Sequence, residues 1–104
     1  MDIQELTQAM HDFVRAKGWY DTDIARPQTA SNLAASLAIE AVEVLEHFQW
    51  DTETTNKSHL AEELADVALY LLQLASICEI DLEKAILEKL ESNYKRTWNK
   101  SEED

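Results

Sequence analysis

The sequence predicts an all-α fold, a helical bundle of four main helices. It contains one glycine and one proline in 104 residues, whereas β-sandwiches and barrels need turn residues about every 8–12 positions. Leucine, alanine and glutamate are the commonest residues, and they favour helices. Apolar residues also recur at helical spacing in four separate stretches.

The four helices are predicted from this spacing and from the residues that begin or end helices. Gly18 ends the first helix. The candidate N-caps of the next three are Thr29 or Ser31, Asn56 or Ser58, and Asp81. The predicted ranges are 2–17, 29 or 31 to 50, 58–79 and 81–98. Residues 1–98 would form one domain and residues 99–104 a charged C-terminal tail. A chain this short buries only about two thirds of its unfolded surface, so we expect dimerisation to complete the core.

Charge and cysteine usage exclude several classes of function. The net charge of −12 argues against nucleic acid or an anionic membrane as the partner. The single cysteine, Cys78, excludes an internal disulfide and a thiolate-rich zinc site. It lies in the apolar stretch "LLQLASIC", so we expect a buried thiol. No signal peptide and no membrane-spanning stretch is recognised, and we expect a cytoplasmic protein.

The second and third helices are apolar, yet each carries a pair of acids three residues apart. Glu40 and Glu43 lie beside one apolar stripe, and Glu63 and Asp66 lie beside the other. The two stripes are Leu33, Leu37, Ala41, Val44, Leu45 and Phe48, and Leu60, Leu64, Val67, Leu71 and Leu74. The spacing acid-x-x-acid occurs five times in the chain, and most such pairs are solvated surface. These two stand out by their apolar surroundings, whereas Glu46 points further round and is expected to be exposed.

A divalent cation is the natural partner of these four carboxylates. Burying ionised carboxylates is costly unless a cation compensates, and Lys57 is the only Lys or Arg between residues 33 and 83. Oxygen ligands favour Mg²⁺, with Mn²⁺ as a possible substitute, and Mg²⁺ keeps open positions for water and phosphate oxygens. The histidines His11, His47 and His59 are far apart in the sequence and are expected to form no ligand set.

The fourth helix carries a polar strip that could bind phosphate oxygens. Lys89, Asn93 and Arg96 are spaced i, i+4 and i+7 and share one face. A basic strip near a helix C-terminus is also a common solvated surface, favoured by the helix dipole. Both interpretations remain open from the residues alone.

A family resemblance follows from these residues. "EAVE" at 40–43 and "ELAD" at 63–66 resemble the E-x-x-E…E-x-x-D signature of the MazG-like, all-α nucleoside triphosphate pyrophosphohydrolases. "NLAASLAIEAVEVLEHFQW" and the stretch from "EELADVALYLL" to "SNYKR" are similar to the dCTP pyrophosphatase branch. The likeness covers about residues 10–96.

The resemblance implies hydrolysis of (d)NTPs, with dCTP preferred, between the α and β phosphates to give (d)NMP and pyrophosphate. It implies that Glu40, Glu43, Glu63 and Asp66 bind Mg²⁺. The residues it implies for substrate binding are Trp19, Asn32, Trp50, Tyr70, Lys89 and Asn93, to which the helical strip adds Arg96. It also implies a homodimer or a homotetramer built as a dimer of dimers. Such an enzyme would serve the housekeeping of the nucleotide pool.

Two roles stay open at this point. Glu43, with Glu40 beside it, is the candidate base that takes a proton from the attacking water. Both tryptophans could instead be core or interface residues. The rival function is a non-catalytic helical interaction or regulatory dimer with a lapsed site, which would tolerate alanine at all four acids.

Overall fold

Four α-helices make up the structure, a computed structural model that describes residues 1–49 and 56–96. They are α1 (Ile3–Ala16), α2 (Ala30–Glu46), α3 (Lys57–Ile77) and α4 (Leu82–Lys95). No β-strand occurs within these described ranges. The all-α prediction is confirmed, and the predicted tail lies outside the described residues.

The helices begin where local hydrogen bonding favours it. Asp2 caps α1, and Glu5 reaches back to the Asp2 amide to complete a capping box. The side chains of Thr29, Asn56 and Asp81 accept amide hydrogen bonds at the starts of α2, α3 and α4. Each of these three residues is among the predicted candidates, and Ser31 and Ser58, the alternatives for α2 and α3, are not the caps.

Three helices end at least two residues earlier than predicted. Helix α4 ends at Lys95 and not at residue 98, because Arg96 has an extended backbone. Helix α2 ends at Glu46 and not at Trp50, because His47 and Phe48 donate to carbonyls three residues back and tighten the last turn. Helix α3 ends at Ile77 because Glu79 adopts a left-handed conformation (φ 58°). Cys78, predicted to be buried, is exposed, since it lies past the last turn of α3.

Helix α3 is central to the architecture. It packs most extensively against α2, less against α1 and least against α4. The radius of gyration is 16.6 Å, whereas a compact chain of this length has about 13 Å. The fold is therefore open, and α4 is joined to it mainly through the turn after α3.

The apolar stripes remain largely uncovered in a single chain. Of the eleven predicted stripe residues, Leu33 alone is buried. Leu45 on α2 is 65% exposed, and Leu87 and Leu90 on α4 are more than half exposed. The stripes therefore form no closed core in one chain, and the expectation that dimerisation completes the core stays a prediction. Among the described residues, no helix is both long and apolar enough to cross a membrane.

Candidate active site

The two acidic pairs come together where α2 packs along α3. Burial raises the pKa of Glu40 above its ordinary value of 4.5, and a side-chain hydrogen bond with Glu43 raises it further. The negative charges of Glu43, Asp66 and Glu63 act on this pKa in the same direction. The charges of the other three predicted ligands therefore all act on Glu40. We call these four residues the carboxylate cluster.

Two oxygen atoms of the carboxylate cluster are buried without a hydrogen bond. They are Oε2 of Glu40 and Oε2 of Glu63. Glu63 as a whole is buried, and Glu40 and Glu43 are half-buried. A buried acceptor without a partner costs about 1–3 kcal/mol, and more when it is charged. Carboxylate oxygen atoms of this kind could coordinate a cation.

A cavity of about 1250 Å³ opens beside the carboxylate cluster. Its walls come from α1, the loop that follows it, and the facing sides of α2 and α3. Asp66 belongs both to the cluster and to this wall. Three predicted substrate-binding residues, Trp19, Asn32 and Tyr70, also line the cavity. The structure thus brings together the predicted acids and one part of the predicted substrate pocket.

The position of Trp19 follows from the way α1 ends. Gly18 has a positive φ of 74°, and the amides of Gly18 and Trp19 donate to Arg15 and Val14. This is a Schellman motif, in which glycine takes the left-handed position without a steric penalty. The Trp19 ring then packs edge-on against Phe13, with 5.4 Å between ring centroids.

A buried polar network anchors the same loop to the helices. The Tyr20 hydroxyl lies 2.6 Å from His11 Nδ1 and accepts a hydrogen bond from the Gln73 amide at 3.2 Å. The other ring nitrogen of His11 lies 2.7 Å from Ser76 Oγ, and Gln73 also donates to Gln28 at 2.8 Å. We call these five residues the tyrosine network. It connects α1, the loop and α3, and so holds one wall of the cavity.

The predicted phosphate strip is not part of this pocket in one chain. Lys89, Asn93 and Arg96 are exposed on α4, and none of them lines the cavity. Lys89 makes no ion pair with any described residue. Trp50, the other predicted stacking residue, lies outside the described residues.

Sequence reasoning missed three residues near the site. His47 Nε2 lies 2.8 Å from Glu63 Oε2, and His59 Nε2 lies 3.4 Å from Glu63 Oε1. The packing of α2 on α3 thus brings these two histidines together at Glu63, and the expectation that the histidines form no ligand set stays a prediction. Arg26 lines the cavity from the loop. The spacing of His59 and Glu63, i and i+4, was the one local signal available.

Comparison with known proteins decides the family. A model of the MazG-like family matches residues 35–104, which is more than half of the chain. The chain belongs to the MazG-like family. The matched range includes all four acids of the carboxylate cluster and the whole of α4, but it excludes Trp19 and Asn32.

Individual relatives of this MazG-like chain agree with the family match. A pyrophosphatase from Archaeoglobus fulgidus, known from its crystal structure, is 35% identical and superposes with a TM-score of 0.71 over 86% of both chains. dCTP pyrophosphatase 1 of Homo sapiens is 30% identical over 103 residues, and that of Mus musculus is 29% identical. These alignments cover 90% of this chain, and the chain spans 58% of the length of those curated relatives.

Proposed function

We propose that this protein is a nucleotide pyrophosphohydrolase that hydrolyses (d)NTPs, dCTP first, between the α and β phosphates. The products would be a (d)NMP and pyrophosphate. One observation carries the proposal: four carboxylates lie together beside a cavity lined by aromatic residues, and Asp66 belongs to both. Two of the four, Glu40 and Glu63, have a buried oxygen without a hydrogen bond. The names of the pyrophosphatase relatives support the same reaction class.

The carboxylate cluster fits a magnesium requirement. Its donors are all oxygen atoms, which Mg²⁺ and Mn²⁺ prefer. Helix α2 contains no Lys or Arg, and α3 contains only Lys57 in its first turn. A cation between Glu40 and Glu63 would satisfy their buried oxygens. When bound, Mg²⁺ neutralises charge on the triphosphate and polarises the phosphoryl group.

A carboxylate of the cluster would take the proton of the attacking water. Burial and three neighbouring negative charges raise the pKa of Glu40, which favours proton uptake by this side chain. Glu43, the base predicted from the sequence, adjoins it on the same helix face and stays a candidate. The two residues together are the proposed catalytic pair.

The cavity would bind the nucleoside portion of the substrate. Pockets for small ligands measure about 300–1,000 Å³, so about 1250 Å³ is sufficient for a nucleotide. Trp19 and Tyr70 offer ring faces, and stacking on a base contributes about 1–3 kcal/mol. Asn32 donates to the Pro27 carbonyl, which fixes its amide at the rim. We include Trp50 among the stacking residues from the sequence alone.

The phosphate strip on α4 would act on a neighbouring protomer. Lys89, Asn93 and Arg96 are exposed in one chain and lie outside its cavity, yet the triphosphate needs cationic ligands. The exposed apolar residues of α2, α3 and α4 supply a surface for association. We therefore propose a homodimer, or a homotetramer formed from two dimers, in which each α4 completes the site of its partner. A cytoplasmic role in maintaining the nucleotide pool would follow.

Product analysis tests the reaction. Purified protein is incubated with dCTP and Mg²⁺, and the products are separated by chromatography, with Glu43→Gln and Glu46→Gln in parallel. Glu46 is an exposed acid on the same helix and does not contribute to the charges acting on Glu40. We expect dCMP and pyrophosphate from the wild type and from Glu46→Gln, and a loss of about 10²-fold or more in Glu43→Gln.

Two other results would change the proposal. Equal rates on all common NTPs and dNTPs would remove the preference for dCTP and leave the reaction class intact. No turnover of any nucleotide with Mg²⁺ or Mn²⁺ would favour the interaction module in place of the enzyme.

A further inference from the structure

Two histidines and a buried carboxylate converge where α2 ends and α3 begins. His47 caps the C-terminus of α2, and His59 and Glu63 lie one turn apart on α3. One ligand atom from each of the three residues can be chosen so that all lie within 4.8 Å of one another. The imidazole rings of His47 and His59 meet at a centroid distance of 5.2 Å. None of the functional roles argued above uses either histidine.

The surroundings resemble a built site with one open side. The side chains of His47 and Glu63 are 10% and 11% exposed, whereas that of His59 is 57% exposed. Glu63 Oε2 is buried, and it lies 2.8 Å from His47 Nε2. Because α2 packs along α3, the two helices hold the three side chains in one arrangement that remains accessible from the His59 side.

The donor atoms determine which ion fits. Two imidazole nitrogens and one carboxylate are poor ligands for Mg²⁺, which selects oxygen, but they suit zinc and neighbouring transition metals. Two histidines and a glutamate with a fourth position open to water form a known type of zinc site. Bonds of about 2.0–2.1 Å in a tetrahedral site separate ligand atoms by about 3.3 Å. The His59–Glu63 separation of 3.4 Å already matches this value.

We propose that His47, His59 and Glu63 form a binding site for a divalent transition-metal ion of the zinc class. The site adjoins the carboxylate cluster and shares Glu63 with it. An ion held by the two histidines would draw on a carboxylate that Mg²⁺ also needs, so the two metals bind in competition. The proposal goes beyond the proposed hydrolysis and does not depend on it.

Calorimetric titration of chelator-treated, nucleotide-free protein with Zn²⁺ in the presence of excess Mg²⁺ tests the site. We expect one Zn²⁺ per chain in the wild type. His59→Ala should weaken binding by about 100-fold or more, since even indirect partners of metal ligands contribute about 10–100-fold. His59 is more than half exposed, so its removal should leave the fold intact. His47→Ala should act in the same direction.

Matched variants and a spectroscopic probe separate this site from other acids and histidines. Glu62→Ala removes the exposed neighbour of Glu63, and His11→Gln removes a histidine outside the proposed zinc site. Neither should weaken Zn²⁺ binding. Co²⁺ added in place of Zn²⁺ should give the visible absorption of a tetrahedral nitrogen-containing site in the wild type, and this absorption should disappear in His59→Ala.

Two results would overturn the proposal. Equal Zn²⁺ affinity in the wild type and His59→Ala would assign the ion to the carboxylate cluster alone. No binding of Zn²⁺ or Co²⁺ would leave the histidines as direct charge partners of Glu63. Since no nucleotide is present, an inactive protein that binds Zn²⁺ through His59 would support this site and contradict only the proposed function. If the protein is active but its Zn²⁺ affinity is unchanged in His47→Ala and His59→Ala, only the proposed metal site is contradicted.

Discussion

Two polar centres lie along α3, about three turns apart, and they differ in whether their atoms find partners. In the tyrosine network, each side chain is hydrogen-bonded to another member. In the carboxylate cluster, Glu40 and Glu63 each retain a buried oxygen without a hydrogen bond. The comparison teaches that one buried polar centre satisfies its own hydrogen bonds, whereas the other keeps acceptor atoms that the proposed cation would use.

The largest expected effect comes from neutralising one carboxylate of the carboxylate cluster. Glu40→Gln should lower Mg²⁺-dependent turnover by about 10²-fold or more. It should also raise the urea midpoint measured without divalent cations, because an amide removes one of four crowded negative charges. Turnover and unfolding are measured on the same preparations, with Glu46→Gln as the control. A fall in the urea midpoint of Glu40→Gln would show instead that the Glu40 carboxylate stabilises the folded chain.

Removing a hydrogen bond from the tyrosine network should have the opposite effect: it should lower stability and leave the response to Mg²⁺ unchanged. Tyr20→Phe removes the hydroxyl that lies between His11 and Gln73, so the free energy of unfolding should fall by about 1–3 kcal/mol. The added stability that Mg²⁺ gives should stay at its wild-type value. Tyr94→Phe is the matched control, since Tyr94 is 89% exposed. If Tyr20→Phe also abolished the response to Mg²⁺, the two centres would not be independent.

The two centres should also respond to pH with opposite signs. Burial, with the nearby Arg15 charge, lowers the pKa of His11 below 6.5, so the unfolded chain takes up a proton there before the folded one does. Stability from His11 is therefore lost as pH falls from 6.5 towards the lowered pKa. The pKa of Glu40 is raised above 4.5, so stability is lost as pH rises from 4.5 through the raised value.

Urea unfolding over about pH 4–8 without divalent cations measures both slopes. His11→Gln should reduce the loss of stability that occurs as pH falls. Glu40→Gln should reduce the loss of stability that occurs as pH rises. The sign assignment fails if either variant steepens the slope that it should remove.

The smallest expected effect concerns the glycine that leads the chain into the tyrosine network. Gly18 and Glu79 occupy equivalent left-handed positions after α1 and α3. Gly18→Ala should cost about 1 kcal/mol, because φ is positive and the new Cβ would lie 3.0 Å from Asp21 Oδ2. Glu79→Gly should stabilise by a similar or smaller amount. Thermal unfolding at fixed protein concentration measures both changes, and equal signs for the two would contradict the assignment.

Helix positions and the two acidic pairs could be predicted from the sequence because both depend on local spacing, and the family resemblance then joined the two pairs into one set. Thr29, Asn56 and Asp81 are caps whose hydrogen bonds lie within three residues. Glu63 and Asp66 share one edge of α3 through the helical repeat alone. The apolar surroundings then separated these acids from the ordinary surface pairs elsewhere in the chain.

The parts that could not be predicted depend on how separate elements meet. His47 was assigned to the body of α2, but the tightened last turn makes it a cap that faces Glu63. Gln73 and Tyr20 are 53 residues apart and meet only through packing. The exposure of Cys78 depends on where α3 ends. No periodicity in the sequence carries such information.

The open shape of the single chain has a consequence for how the protein is kept folded. Leu45, Leu87 and Leu90 expose more than half of their surface, and the radius of gyration exceeds that of a compact chain by several ångströms. In the proposed oligomer, much of the free energy of folding is supplied by association and so increases with protein concentration. Dilution would then act as a denaturant, and the amount of protein present would set how much of it is folded.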